Sequence, residues 1–378
     1  MKFFHVLILF ITLTGFQACS HTNTIYESRR YSAVSNDELN LRIKQTETSR
    51  EFHGIRVEQA KLQNLQIQNI NFEHCSLVEA DFSNTYIEEV SFKACDLRNA
   101  DFSGARLYNV DFSKAIMQGA RFTDSSIEKT NFQDSDSRET VFANSQIKKT
   151  DFSGSILADS NLSGATISNS KLDNVNLSYA ILDQARFSEN DIRFSNLLGT
   201  SAVGSTHYKS ILFKSNASWS KFTNSLWQES NLQVSDFSDS NFDNASFLET
   251  NAIAARFSKS SLKNVSVVKS VFREVRMDET RLEHARFSDT DLELSNFEWS
   301  NADDSQFEHC NLTKAILVRA SFRRSNFNQC KFHWARAIMV NFSDATIQES
   351  DIHKADFRGG KISAGTFTKT TNLDTALF

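Results

Sequence analysis

Read along the chain, large apolar side chains return at every fifth residue. From Leu62 to Leu377 that position is apolar except at Ser137, His207 and Asn372. Two residues earlier, from Ala60 to Thr375, stands Ala, Ser, Thr, Val, Cys or Gly, the exceptions being Leu65, Ile70 and Asn190. Ala80-Asp81-Phe82-Ser83-Asn84 and Ala100-Asp101-Phe102-Ser103-Gly104 show the unit directly. A helix repeats every 3.6 residues and a plain strand every two, so neither sustains this rhythm. The chain must turn once per pentapeptide. Four such turns close a square coil of about 20 residues, with the large side chain inward and the small one at the corner where backbones crowd.

A longer period is superimposed on the first. From Phe72 to Leu157 the inward position alternates Phe with an aliphatic residue, Ser137 being the polar alternate. This places Phe on two opposite sides of the coil and lets like stack on like. Apart from Phe3, Phe4, Phe10, Phe16, Phe52, Phe194, Phe213 and Phe378, each of the 33 phenylalanines falls on the register between Phe72 and Phe367. The weakest coil has Ala202, His207, Leu212 and Ala217 inward, with Val203, Tyr208 and Phe213 one residue out of phase. Residues 198–221 are therefore expected to form an irregular coil or bend, and His207 to be displaced or locally exposed. That bend would join a first solenoid at 59–197 to a second at 222–378 ending in a C-terminal cap. Beyond it the aromatics favour the other pair of sides, as at Trp227, Phe237 and Phe247.

These residues match the consensus of the pentapeptide-repeat family: Ala, then Asp or Asn, then Leu or Phe, then two variable positions. The resemblance covers the chain from residue 59 onward. It implies an all-β fold, a right-handed quadrilateral β-helix of about 16 coils, roughly 75 Å long at the inter-strand spacing. The sequence contains no proline, which fits stacked coils that use backbone N–H groups as donors between neighbours.

The N-terminus reads Met1, Lys2, an apolar run from Phe3 to Thr14, then Gly15-Phe16-Gln17-Ala18-Cys19. The run is shorter than the roughly 20 helical residues needed to span a bilayer, so residues 1–18 are expected to be an export signal. Cys19 after Ala18 resembles a bacterial lipobox, with Phe16 where leucine is usual, which implies a lipidated Cys19 as the mature N-terminus. Ser20 resembles the residue that follows in lipoproteins sorted to the outer membrane. Residues 19–34 would be a tether. Ser35-Asn36-Asp37-Glu38 before Leu39 and Ile43 fits a capping box, so residues 35–58 are expected to form a helical cap over the first coil.

The net charge of −5 indicates neither a polyanion-binding nor a strongly acidic surface overall. Ser, His and Asp recur throughout, so their proximity is no evidence of a catalytic triad. A uniform register leaves little room for the excursions on which β-helical enzymes build their sites. Neither catalysis nor a cofactor is expected. Cys75 and Cys95, like Cys310 and Cys330, stand one coil apart at the small position. Stacked Cβ atoms would be somewhat further apart than a relaxed disulfide prefers, so they read as small buried residues. His333 and His353 share the same spacing, with no third ligand placed by it.

Outward chemistry concentrates in the segment 314–336, with Lys314, Arg319, Arg323, Arg324, Lys331, His333, Trp334 and Arg336. Trp219 and Trp299 stand off the register at equivalent edges four coils apart. Basic and exposed aromatic residues together suit an anionic or protein partner. The expected function is a non-enzymatic interaction or scaffold rod in the bacterial cell envelope, at the outer membrane. It would be held by a lipid anchor at Cys19 and bind an unidentified envelope protein or anionic envelope component. By analogy with family members, a homodimer through the C-terminal end is expected. Two other readings are a DNA mimic that binds a topoisomerase, known in the family, and a sugar-active β-helix enzyme. Export and a small net charge disfavour the first, and the uniform register disfavours the second. No nucleic-acid partner is expected.

Overall fold

The computed structural model describes residues 31–44 and 50–378. From Leu62 to Phe357 the inward side chain is shielded by the coil above and the coil below, and burial is nearly complete, as at Phe82, Phe102, Ile127 and Phe242. The coils have four sides. Face I carries the parallel ladder Lys61, Asp81, Asp101 and onward, face III the ladder Asn71, Ser91, Asp111, and face IV the ladder Arg56, Ser76, Asp96, continuing to Arg336 and Asp356. Face II is a 16-stranded parallel sheet running from Gln66–Gln68 to Phe367–Thr368. Its register advances by one coil per strand, Ile67 opposite Ile87 and Phe307 opposite Phe327. The result is a parallel β-solenoid of about 17 turns with one short helix.

The corners explain the five-residue rhythm. The residue two after the inward one takes a left-handed backbone, with φ of 61° at Asn64, 55° at Asn84 and 57° at Asp124. Such a conformation costs an L-residue about 1–2 kcal/mol. It is held by bonds to the next coil: Phe82 N–H donates to Asp101 O at 2.7 Å and Asn84 N–H to Ser103 O at 2.9 Å. Asp81 N–H meanwhile donates to Ala60 O of the preceding coil at 2.8 Å. Proline could serve none of these positions. The small residue lies inside the corner, and where it is serine its hydroxyl joins coils. Ser240 Oγ donates to Ala217 O at 3.0 Å and accepts from Ser220 N–H at 3.0 Å. Cysteine fills the same slot: Cys75 donates to Phe52 O at 2.7 Å and Cys95 to Phe72 O at 2.8 Å, all four buried thiols being free.

The aromatic columns form as the alternation predicts. Phe92, Phe112 and Phe132 stack on face III at 5.2 and 5.0 Å, Phe102 and Phe122 on face I at 4.8 Å, and the two columns meet edge to face. Ser137 is buried within them, its Oγ 2.9 Å from Ser135 Oγ.

Three expectations are corrected. First, residues 198–221 are neither bent nor irregular. The ladders Ile181–Ser201–Lys221 and Asn196–Asn216–Asp236 pass through them unbroken, and Thr206–Tyr208 pairs with both neighbouring strands. His207 points inward and is 2% exposed, its ring parallel to Phe187 at 5.0 Å and to Trp227 at 3.8 Å. Its Nε2 lies 3.0 Å from Ser205 Oγ. Ala202 and Ala217 are small where the large Trp227 needs space, so the coil compensates in volume. Tyr208 and Phe213 lie outward, under the ammonium groups of Lys209 and Lys214.

Second, the N-terminal helix α1, Asn36–Lys44, occupies only part of the expected cap. Ser35 Oγ accepts the Glu38 N–H at 3.2 Å, and Leu39 and Ile43 are buried. Asn36 Oδ1 accepts the Lys61 N–H at 3.0 Å, which covers the open edge of the first coil. The coil itself starts earlier than residue 59: Arg50–Glu51 pairs with Ile70–Asn71, and Phe52 stacks on Phe72 at 5.0 Å. Third, the register slips at the other end. Asp356 bridges Leu377, one residue later than the period requires, and the turn Leu373–Thr375 takes up the extra residue. Asn372 is consequently exposed, while Phe378 stacks on Phe357 at 5.6 Å.

Candidate docking face

The left-handed corner residue is generally the most exposed of the five, because the inward residue and the small residue beside it fill the interior. At these corners stand Tyr179, Phe194, Trp219, Val234, Leu294, Trp299, Trp334 and Met339, all exposed. Every one of them borders face IV. Tyr179, Trp219, Trp299 and Met339 share the corner after face IV, and Phe194, Val234, Leu294 and Trp334 share the corner before it. The two edges of one side of the rod therefore carry its large apolar corner residues. The signal was present in the sequence as spacings that are multiples of twenty, which single out Tyr179, Phe194 and Met339 together with the tryptophans.

The expected cluster at 314–336 is divided by the coil. Arg319, Trp334 and Arg336 lie on or beside face IV. Arg323 and Arg324 lie a quarter turn away, at face I and its far corner. Both are held by acids of the preceding coil: Arg323 Nε is 3.4 Å from Asp303, and Arg324 makes a two-point pair with Asp304 at 2.8 and 2.6 Å. The Arg324 guanidinium holds the Asp304 carboxyl below its ordinary range. Those two arginines are removed from the candidate surface.

On face IV the cations are placed differently. The Arg319 guanidinium sits 4.7 Å from the Trp299 ring centre, and the Lys354 ammonium 4.4 Å from that of Trp334. Lys314, Arg319, Arg336 and Lys354 have no carboxylate within ion-pairing distance among the described residues. Arg358, by contrast, makes a two-point pair with Asp356 and keeps that carboxyl below its ordinary range. A shallow groove beside Trp334 is lined by Ala335, Arg336, Lys354, Asp356, Thr375 and Leu377.

His333 and His353 do meet, ring centres 5.8 Å apart, on face III, with Asp351 2.8 Å from His333 Nε2. Among the described residues no group of three or more His, Cys, Asp and Glu side chains could hold a metal ion. Cys19 lies outside the described residues.

The family model described as a pentapeptide repeat region matches residues 65–142, and that described as pentapeptide repeats (8 copies) matches 138–174, 170–206, 255–293, 290–329 and 325–363. Among solved structures, HetL, a pentapeptide repeat protein involved in heterocyst differentiation regulation from the cyanobacterium Nostoc sp. strain PCC 7120, is similar at 17% identity. The match covers 66% of this chain and 90% of HetL, with a TM-score of 0.24. QnrB1, a plasmid-mediated fluoroquinolone resistance protein, is similar at 16% identity over 66% of this chain and 90% of its own, with a TM-score of 0.31. A pentapeptide repeat protein from the Arabidopsis thaliana thylakoid lumen is 22% identical over 28% of this chain and 66% of its own, with a TM-score of 0.21. No curated protein matches the sequence.

Proposed function

This chain belongs to the pentapeptide-repeat family, and from that premise we propose that it is a non-enzymatic interaction rod that docks a macromolecular partner along face IV. The observation that carries the reading is the restriction of the exposed apolar corner residues to the two edges of that one side. Such residues cost solubility and contribute nothing to the interior, and clustered aromatic residues mark contact surfaces. The interior is filled by stacked side chains and the groove beside Trp334 is shallow, which supports binding over catalysis.

The envelope setting, the lipid on Cys19 and a second copy meeting Leu373, Leu377 and Phe378 at the C-terminal end belong to the same proposal. Acids and bases pair between successive coils, as in Asp303 with Arg323, Glu229 with Lys209 and Glu283 with Lys263. This interleaving favours a scaffold over a mimic of the uniformly charged nucleic-acid backbone. Two experiments test the proposal. Fractionation of cells expressing the wild type and Cys19→Ala, with intact-mass analysis, is expected to show a diacylglyceryl mass lost in the variant. Cross-linking from the face IV positions Tyr179, Trp219 and Trp299 is expected to trap a partner that control positions on face II do not trap. Equal trapping from both faces would overturn the docking assignment.

A further inference from the structure

Face IV changes character in its last coils. At the outward positions there stand Ile316, Val318, Arg336 and Ile338, followed by the ion-paired Asp356 and Arg358. In the same coils the outward positions of faces I, II and III are polar throughout, from Asn301 and Asp303 to Asp351 and His353. The corners follow suit. Those bordering face IV carry Trp299, Arg319 and Met339 on one edge and Lys314, Trp334 and Lys354 on the other. The remaining two corners carry Asp304, Arg324 and Asp344, and His309, Gln329 and Glu349.

Resting on the docking role of face IV, we propose that this C-terminal stretch lies on the surface of a bilayer containing anionic lipid. The shape of the patch argues for a plane. Contact residues project along both edges with a flat aliphatic strip between them, so a planar target meets both rows at once. The chemistry argues for lipid. Trp299 and Trp334 are 55% and 52% exposed and Met339 is 55% exposed. Tryptophan partitions to the headgroup level, where an amphipathic ring is half in water and half in hydrocarbon. Four cations that make no ion pair among the described residues surround them, two already seated on the tryptophan rings, and anionic headgroups supply counter-charge. Glu298, the paired Asp356 and Asp374 are the acids of this stretch, against Lys314, Arg319, Arg336, Lys354 and Arg358, so the local charge is positive although the whole chain is negative. The groove beside Trp334 has Ala335 and Leu377 for apolar wall and Arg336 and Lys354 at its rim.

The test uses tryptophan fluorescence of the full chain with vesicles carrying brominated acyl chains, either phosphatidylcholine alone or with a third phosphatidylglycerol. Quenching is expected on the anionic vesicles and not on the neutral ones. Trp299→Phe with Trp334→Phe is expected to remove it, leaving two reference tryptophans that are not quenched: the buried Trp227 and the exposed Trp219, which stands four coils before Trp299. Replacing Lys314, Arg319, Arg336 and Lys354 by Gln is expected to weaken partitioning by well over tenfold, since each basic residue contributes roughly fivefold at an anionic surface. These side chains are exposed, and an unchanged melting temperature checks that the variants fold. Quenching that survives the double tryptophan variant, or that is equal on neutral vesicles, would overturn the proposal by placing the contact elsewhere or removing its charge dependence. Binding to polyglutamate with no bromine quenching on vesicles would assign the patch to an acidic protein instead. In that case cross-linking from Tyr179 and Trp219 would still report on the docking role by itself.

Discussion

His207 lies flat against Trp227, with ring centres 3.8 Å apart and planes within 4° of parallel. The imidazole is sealed between that indole and Phe187, and burial lowers its pKa from 6.5 to about 3. A group whose folded pKa is depressed binds fewer protons in the native state than when unfolded. Its contribution is therefore complete above the unfolded pKa and is lost as pH falls from about 6.5 towards 3. The full effect is roughly 3–5 kcal/mol. Denaturant midpoints measured at pH 7.5 and pH 4.5 are expected to fall with acid in the wild type. The fall should be clearly smaller in His207→Phe, which keeps the stack and removes the titration. An equal fall in both proteins would show that His207 is not the sensor.

Phe112 is enclosed by Phe92 and Phe132 along its own column and by Phe102 and Phe122 across the interior. Truncation to Ala opens a cavity that stiff neighbouring coils fill poorly, at a cost of about 3–5 kcal/mol. Because each coil contacts its neighbours alone, the loss should be felt first by coils near the site. Hydrogen exchange is expected to quicken around residues 90–135 and to leave 300–350 unchanged.

Ser240 shows what the small position does beyond fitting the corner. Its Oγ is the acceptor for the Ser220 N–H, at 3.0 Å. Ser240→Ala keeps the size and strands that buried donor, which costs about 1–3 kcal/mol. Ser240→Cys should cost less, since cysteine occupies the equivalent slot at Cys310 and Cys330. Thermal melts of the two variants give the order directly.

Helix α1 is expected to protect the first coil. Leu39 is fully buried, and Asn36 holds the Lys61 amide. Leu39→Ala should cost about 2–4 kcal/mol locally and accelerate exchange at Lys61 and Leu62. Exchange in the aromatic columns beyond Phe92 should not change.

The five-residue register carried most of the fold because inward position and corner geometry are decided within one pentapeptide. The reading failed where the deciding contact lay one coil away. His207 looks like a defect among apolar residues, yet its ring stacks flat between Phe187 and Trp227. Phe52 looked isolated because its partner, Phe72, is a full coil distant. The candidate surface suffered in the same way. Arg323 and Arg324 are neighbours of Arg319 along the chain, but five residues amount to a quarter turn, so they face another direction. Tyr179 and Met339 do not stand out along the chain, since a single aromatic or methionine carries no message until the coil aligns it with Trp219 and Trp299.

The left-handed corners make the rod an indexing device. Inserting or deleting one pentapeptide rotates everything beyond it by ninety degrees, whereas adding four together moves it along the axis without rotation. Tyr179 and Met339 lie on one edge eight coils apart, so any change of length between them that is not a whole coil would swing one half of the docking face out of line with the other. Length in this molecule is free to vary in steps of twenty residues, and alignment is what forbids the intermediate steps.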